Sequence, residues 1–318
     1  MHPGVTPLVE VDDLHVHFGD ARAVDGASLR VMPGEVLALV GESGSGKTTL
    51  VRAIQGLQKP TSGMIRVAGE TQAIFHDPSV QMVFQDPTGA LNPRQTVYEI
   101  VAEGLRIRKE RGNELEMVSR ALSRAGLRPP ERFLPLYPHE ISGGQRQRVV
   151  IAGAMVMEPR LLLADEPVAS LDASIRGEIL ALMRGLVDDT GLAILVVTHD
   201  LGLAWNIADR VAVMYLGRIV ETGPTEEILD QPQHPYTRAL LSVVPEAREM
   251  EQQILKGEIP DLTRMPGGCR FHPRCPLLQS GTLSETMAVR CVSEDPGPVP
   301  LEASAAAACW PVLAGSDR

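Results

Sequence analysis

"EVLALVGESGSGKTTLVRAIQGL", residues 35–57, decides the fold. "EVLALVG" is apolar almost throughout, the composition of a strand covered on both faces. A glycine-rich turn follows. Then comes "KTTLVRAIQGL", apolar at helical spacing and stopped by Gly56 and Pro60. Strand, loop and helix in that order supply the context demanded of the pattern G-x-x-x-x-G-K-[ST], matched here from Gly41 to Thr48. Gly41, Gly44 and Gly46 let successive backbone N–H groups turn toward phosphate oxygens, and the helix aims its positive end at the same place. Lys47 is expected to reach the terminal phosphates and the Thr48 hydroxyl to ligate Mg²⁺. Ser43, Ser45 and Thr49 complete the expected nucleotide contacts.

Downstream, "LLLADEP" (161–167) ends a second apolar run in two carboxylates. Asp165 suits the shell of the metal. Glu166, one residue on, is placed to activate or orient an attacking water. "LAILVVTHD" (192–200) is a third buried run, with His199 at its end. The opening "LVEVDDLHVHF" and "GASLRVM" alternate as half-buried antiparallel strands do, "TSGMIRVAGE" reads as a short hairpin, and "RVAVMYLGRIVETG" as a closing strand pair. Residues 87–158 read as mostly helical. Strand–loop–helix units flanking a helical insertion imply an α/β fold with a parallel-sheet core and a helical subdomain over about 87–158.

Bulk properties narrow the function. The chain has 318 residues, 44% of them hydrophobic, enough for a substantial core, with a net charge of −10. That charge disfavours general affinity for nucleic acid and polybasic attachment to anionic lipid. No apolar run approaches the roughly 18–20 residues that span a bilayer, and the first residues lack the pattern of a signal peptide. A soluble, cytoplasmic protein is expected, with any membrane role coming through a partner.

"HEISGGQRQR" (139–148) is a second phosphate-binding candidate, about a hundred residues past the first. Ser142, the N–H groups near Gly143 and Gly144, and the dipole of the following helix form another anion-binding end. Taken in order, "GESGSGKT", "VFQDP", "ISGGQRQR", "LLLADEP", "SLD" and "VVTHD" resemble the ATP-binding subunits of ABC transporters over roughly residues 8–245. The resemblance implies a P-loop NTPase core with an antiparallel β subdomain and a helical subdomain. It implies that two subunits pack head to tail, so that Ser142, Gly143, Gly144 and Gln145 of one close over the γ-phosphate held by the other. It also implies that Gln85 senses the γ-phosphate and Mg²⁺, that His199 contacts the γ-phosphate, that Asp172 lies at the dimer boundary, and that Phe18 stacks on adenine. "ASLD" at 169–172 departs slightly from the family's usual order but leaves Asp172 in place.

After about residue 240 proline and glycine become frequent, and all four cysteines, Cys269, Cys275, Cys291 and Cys309, lie in this part. Residues 246–318 are expected to form an extension with little regular structure, following an ATP-binding domain over 1–245. "HPYTRALLSVVP", "LKGEIP" and "GGCRFHPRCP" resemble the oligopeptide/dipeptide/nickel importer group. That resemblance implies two permease subunits, an extracytoplasmic solute-binding protein and a second ATPase, with a heterodimer favoured. It places the chain on the cytoplasmic face of the membrane. It also implies that the four cysteines hold a [4Fe–4S] cluster, for which four thiolates are the usual set. The C-x₂-C pairs typical of structural zinc are missing, though spacing alone leaves zinc open. Other classes compete: a soluble ATPase acting on DNA or the ribosome, and a sensor of iron or redox state. The acidic chain shows neither the long insertions nor the tandem halves usual in the former.

Overall fold

The computed structural model describes residues 6–71, 77–85, 87–110, 112–244, 252–301, 303 and 305–315. Asp86 of "VFQDP" and the expected domain boundary at 245/246 lie outside them.

Along the chain the elements are β1 (Val9–Phe18), β2 (Ala21–Val31), β3 (Val36–Val40), α1 (Lys47–Ile54), β4 (Ser62–Val67), β5 (Glu70–Thr71) and β6 (Val80–Val83). Helices α2 (Pro87–Ala90), α3 (Val97–Arg108), α4 (Glu114–Arg124) and α5 (Gly143–Met155) follow, then β7 (Leu161–Asp165), α6 (Ala173–Thr190), β8 (Ala193–Thr198) and α7 (Leu201–Ile207). The last part holds β9 (Arg210–Tyr215), β10 (Arg218–Pro224), α8 (Thr225–Asp230), α9 (Pro235–Leu241), α10 (Pro276–Gln279), α11 (Glu285–Ser293), β11 (Ala306–Ala307) and α12 (Trp310–Leu313). These elements form two compact units, one of residues 1–32, 37–75 and 198–318, the other of 33–36 and 76–197.

In the first unit, β1 and β2 pair antiparallel from Val9↔Val31 to Phe18↔Ala21, and β4 and β5 complete a four-stranded sheet in the order β2-β1-β4-β5. A second sheet runs β11-β10-β9-β3, with β3 parallel to β9. Every residue of β3 is buried, as its unbroken apolar sequence requires of a strand covered on both faces. A core of Val40, Val213, Tyr215, Tyr236 and Phe271 joins the phosphate-loop strand to the C-terminal extension, whose Leu255, Leu262 and Met265 pack against it.

In the second unit β8, β7 and β6 lie side by side and parallel. All six residues of β8 are buried. The helical stretch begins where Thr96 caps α3 through a reciprocal capping box with Glu99, which satisfies two otherwise unpaired N–H groups at that end.

The extension carries more regular structure than expected. Its nine-residue helix α11 starts on a Ser284 cap, and β11 adds to the sheet by pairing with β10 at Glu221↔Ala307 and Thr222↔Ala306. "EASAAAA" reads as featureless because a run of alanines has no alternation. The small side chains are nevertheless what fits against β10, where Ala305 Cβ would stand only 3.3 Å from a Cβ on Gly223. No helix among the described residues is long and apolar enough to cross a membrane.

Candidate functional site

The phosphate loop is built in the first unit between β3 and α1. Gly46 caps α1 at φ 105°, and a Cβ there would stand 2.2 Å from the Ala23 carbonyl oxygen. At Gly41, φ 151°, a Cβ would stand 2.2 Å from the Met214 carbonyl oxygen. Two of the three loop glycines are thus dictated by close backbone approach as well as by conformation. Gly44, φ 80°, has nothing within 4 Å of such an atom and needs glycine only for its angle. Ser43 and Gly44 form the exposed lip of the loop, whereas Ser45 and Lys47 are buried. The Lys47 ammonium donates to the carbonyls of Gly41 at 2.7 Å and Glu42 at 2.8 Å and lies 3.3 Å from Ser45 Oγ. Thr48 and Thr49 occupy the first turn of α1, half-buried.

Two other expected nucleotide contacts belong to this unit. Phe18 ends β1 with 53% of its surface exposed, so it is available for stacking and is not a core residue. His199 is exposed just past β8, and Asp200 beside it caps α7 through the Leu203 N–H.

In the second unit, Asp165 is the last residue of β7 and is buried. Glu166 turns sharply off the strand at φ 46°, a left-handed conformation costly for a residue with a side chain and concentrated at functional positions. Its N–H donates to Val197 O at 2.9 Å. The turn brings its carboxylate to Gln85, whose Nε2 donates to Glu166 Oε2 at 3.0 Å. A loop glutamine unremarkable in sequence is thereby joined to the expected base.

Ser142 caps α5 in another capping box: its Oγ accepts from Gln145 N–H at 3.3 Å, and Gln145 Oε1 accepts from Ser142 N–H at 2.9 Å. Gly143 and Gly144 supply the first N–H groups of the helix, the unpaired donors of any helix start. Gly144 faces Ile175, whose Cγ2 would lie 2.8 Å from a Cβ there. Asp172 caps α6 by position without a side-chain bond and is exposed.

The four cysteines, dispersed in sequence, line one crevice of the first unit with His234, Phe271 and Trp310. Burial pushes the Cys269 thiol up to about 11 and raises Cys291 and Cys309 as well. Among the described residues, the group offering three or more metal-ligand atoms within 4.8 Å of one another is His15, His17 and Asp25, not these thiols. Asp25 Oδ2 accepts from Arg270 at 2.6 Å, with Arg22 at 3.8 Å, while its Oδ1 lies 2.9 Å from His15 Nδ1. Burial pushes the Asp25 carboxyl up, but Arg270 and His15 hold it below its ordinary value.

Residues overlooked in the sequence also reach the phosphate loop. Arg274 makes a two-pronged ion pair with Glu42, the second residue of the loop, at 2.7 and 3.1 Å. Tyr236 Oη accepts from the Glu42 N–H at 2.8 Å. "GGCRFHPRCP" draws attention to its cysteines. The available signal was its two arginines among buried neighbours, since a buried guanidinium requires a partner.

Comparison with known proteins matches this architecture. The ABC transporter family pattern covers residues 24–169, and the oligopeptide/dipeptide transporter C-terminal region covers 220–281. The chain is 42% identical over 300 residues to the oligopeptide transport ATP-binding protein OppF of Escherichia coli K12, spanning 85% of this chain and 89% of that protein. It is 44% identical over 277 residues to the oligopeptide transport ATP-binding protein AppF of Bacillus subtilis 168, spanning 81% and 83%. Among solved structures, the ATP-binding cassette MJ0796, a dimer in a post-hydrolysis state with ADP and Pi, superposes with a TM-score of 0.59 at 29% identity, over 68% of this chain and 98% of that one. The chain belongs to the ATP-binding subunits of ABC transporters, in the oligopeptide/dipeptide transporter group.

Proposed function

We propose that this chain is the ATP-hydrolysing subunit of an importer for dipeptides, oligopeptides or a related solute such as a nickel chelate. It drives uptake through two permease subunits fed by an extracytoplasmic solute-binding protein. The observation that carries the reading is the joining of a complete phosphate loop and an oligopeptide-type extension in one core, through Tyr215, Tyr236 and Phe271. The acidic chain and the extension both speak against a role on DNA or the ribosome. The chain works at the cytoplasmic face of the membrane, held there by the permeases.

In the hydrolytic step Lys47 and the N–H groups of residues 43–48 bind the phosphates, and Phe18 stacks on adenine. Thr48, Asp165 and Gln85 each carry an oxygen donor of the kind Mg²⁺ prefers and would contribute to holding it. Glu166, oriented by Gln85, takes the proton of the attacking water, and His199 contacts the γ-phosphate. Ser142, whose oxygen accepts from its own helix, keeps its O–H proton to donate, with the N–H groups of Gly143 and Gly144, to a nucleotide on the opposite subunit. That subunit is a related ATPase in a heterodimer, with Asp172 at the boundary. Closure on ATP and reopening after hydrolysis alternate the access of the permeases, through differential binding of two conformations.

The four cysteines that line one crevice offer the four thiolates that a [4Fe–4S] cluster takes. When bound, the cluster supplies a four-point, redox-active crosslink of the extension. Anaerobic purification followed by iron and acid-labile sulfide assay tests it, and a folded, colourless, iron-free protein overturns it. The function is tested by affinity purification from native membranes. Two permeases, a second ATPase and a solute-binding protein should accompany the chain, and capture of ribosomal or DNA-repair complexes in their place refutes the reading.

A further inference from the structure

The segment Cys269–Cys275 sends Arg274 to the phosphate loop and Arg270 to the Leu216–Gly217 turn beside it. Arg274, its side chain only 6% exposed, grips the Glu42 carboxylate with both terminal nitrogens. The fully buried Tyr236 accepts from the Glu42 N–H, and Lys47 donates to the Glu42 carbonyl. The peptide that opens the loop is therefore held at its carboxylate, its N–H and its C=O. Arg270 donates to Leu216 O at 2.6 Å and to Asp25 Oδ2 at 2.6 Å, and Gly217, next after Leu216, donates its N–H to Ser45 O within the loop at 2.8 Å. Phe271, between the two arginines, packs edge-on against Tyr215 at 5.2 Å and tilted against Tyr236 at 5.4 Å.

Two physical consequences follow. A loop with three glycines is intrinsically loose, and ordering it around a nucleotide costs conformational entropy that fixing beforehand avoids. Glu42 also places a negative charge in a loop meant for a polyphosphate, and an ion pair with Arg274 neutralises it. Both effects act on the binding of ATP and leave the chemical step, in which Glu166 serves, untouched.

We propose that the Cys269–Cys275 segment is a clamp on the phosphate loop, with Arg274 and Tyr236 as positioning residues that raise the affinity for nucleoside triphosphate. The test is titration of the full-length chain with a fluorescent ATP analogue, alongside the steady-state kinetics of the assembled transporter. Tyr236→Phe removes one oxygen and keeps the packing. It should raise Kd about fivefold, and Arg274→Gln about tenfold or more, tenfold being about 1.4 kcal/mol. KM for ATP should rise in step while kcat stays within about twofold. Adding Glu42→Gln to Arg274→Gln removes the exposed charge and should recover part of the lost affinity, a rescue that a merely structural pair would not produce. Should Arg274→Gln fail to fold, Tyr236→Phe decides. Kd unchanged within about twofold in the folded variants, or a loss confined to kcat, overturns the proposal.

Discussion

Replacing two glycines of one loop by alanine, one at a time, separates conformational from steric demand. At Gly44 (φ 80°) a methyl group meets nothing within 4 Å, so Gly44→Ala incurs only the cost of a left-handed backbone, about 1–2 kcal/mol. At Gly46 (φ 105°) the same methyl would stand 2.2 Å from the Ala23 carbonyl oxygen and 3.0 Å from Met214 Cε. A backbone oxygen cannot rotate aside, so an overpacking cost of about 1–3 kcal/mol adds to backbone strain of similar size. The loop must leave its position, and α1 loses its start. Gly46→Ala should therefore weaken ATP binding by about 10²-fold or more, and Gly44→Ala by about five- to thirtyfold. Calorimetric titration of ATP into each purified variant, with thermal melts to confirm folding, measures both. Equal losses in the two variants, or near-normal binding by Gly46→Ala, would refute the reasoning.

Glu166→Gln should keep ATP bound yet slow single-turnover hydrolysis by about 10²–10⁴-fold, the usual scale for a general base, and near-normal turnover would remove Glu166 from that role. Ser142→Ala breaks the capping box of α5 and should cost about 1 kcal/mol in urea denaturation, the common effect of losing such a cap. Phe271→Ala empties a fully buried position between Tyr215, Tyr236 and His234. It should destabilise the chain by about 3–5 kcal/mol in the same assay, and a loss below about 1 kcal/mol would mean the extension does not depend on that core.

Much of this was legible in sequence because it is local. The apolar runs 36–40 and 193–198 announce strands covered on both faces, and the glycines of 41–46 announce a turn at a helix start. Contacts between distant residues leave no such trace. Tyr236 and Arg274 meet Glu42 across 194 and 232 positions, and Gln85 meets Glu166 across 81. The short strand at Ala306–Ala307 was invisible for another reason: alanine has too little side chain to show a period of two. The left-handed turn at Glu166 is likewise unwritten, since nothing in "ADEP" asks for it.

A nucleotide gripped by this chain and capped by a second subunit is the central claim. Its most direct test is the mass of the Glu166→Gln chain, alone and mixed with the ATPase subunit that co-purifies with it, by analytical ultracentrifugation with and without Mg·ATP. ATP should convert one chain into a pair. Adding Gly144→Asp, which crowds Ile175 and sets a negative charge against the incoming phosphate, should abolish the pairing while leaving this chain's own ATP affinity within about threefold. Pairing that ATP never induces, or that survives Gly144→Asp, would contradict it.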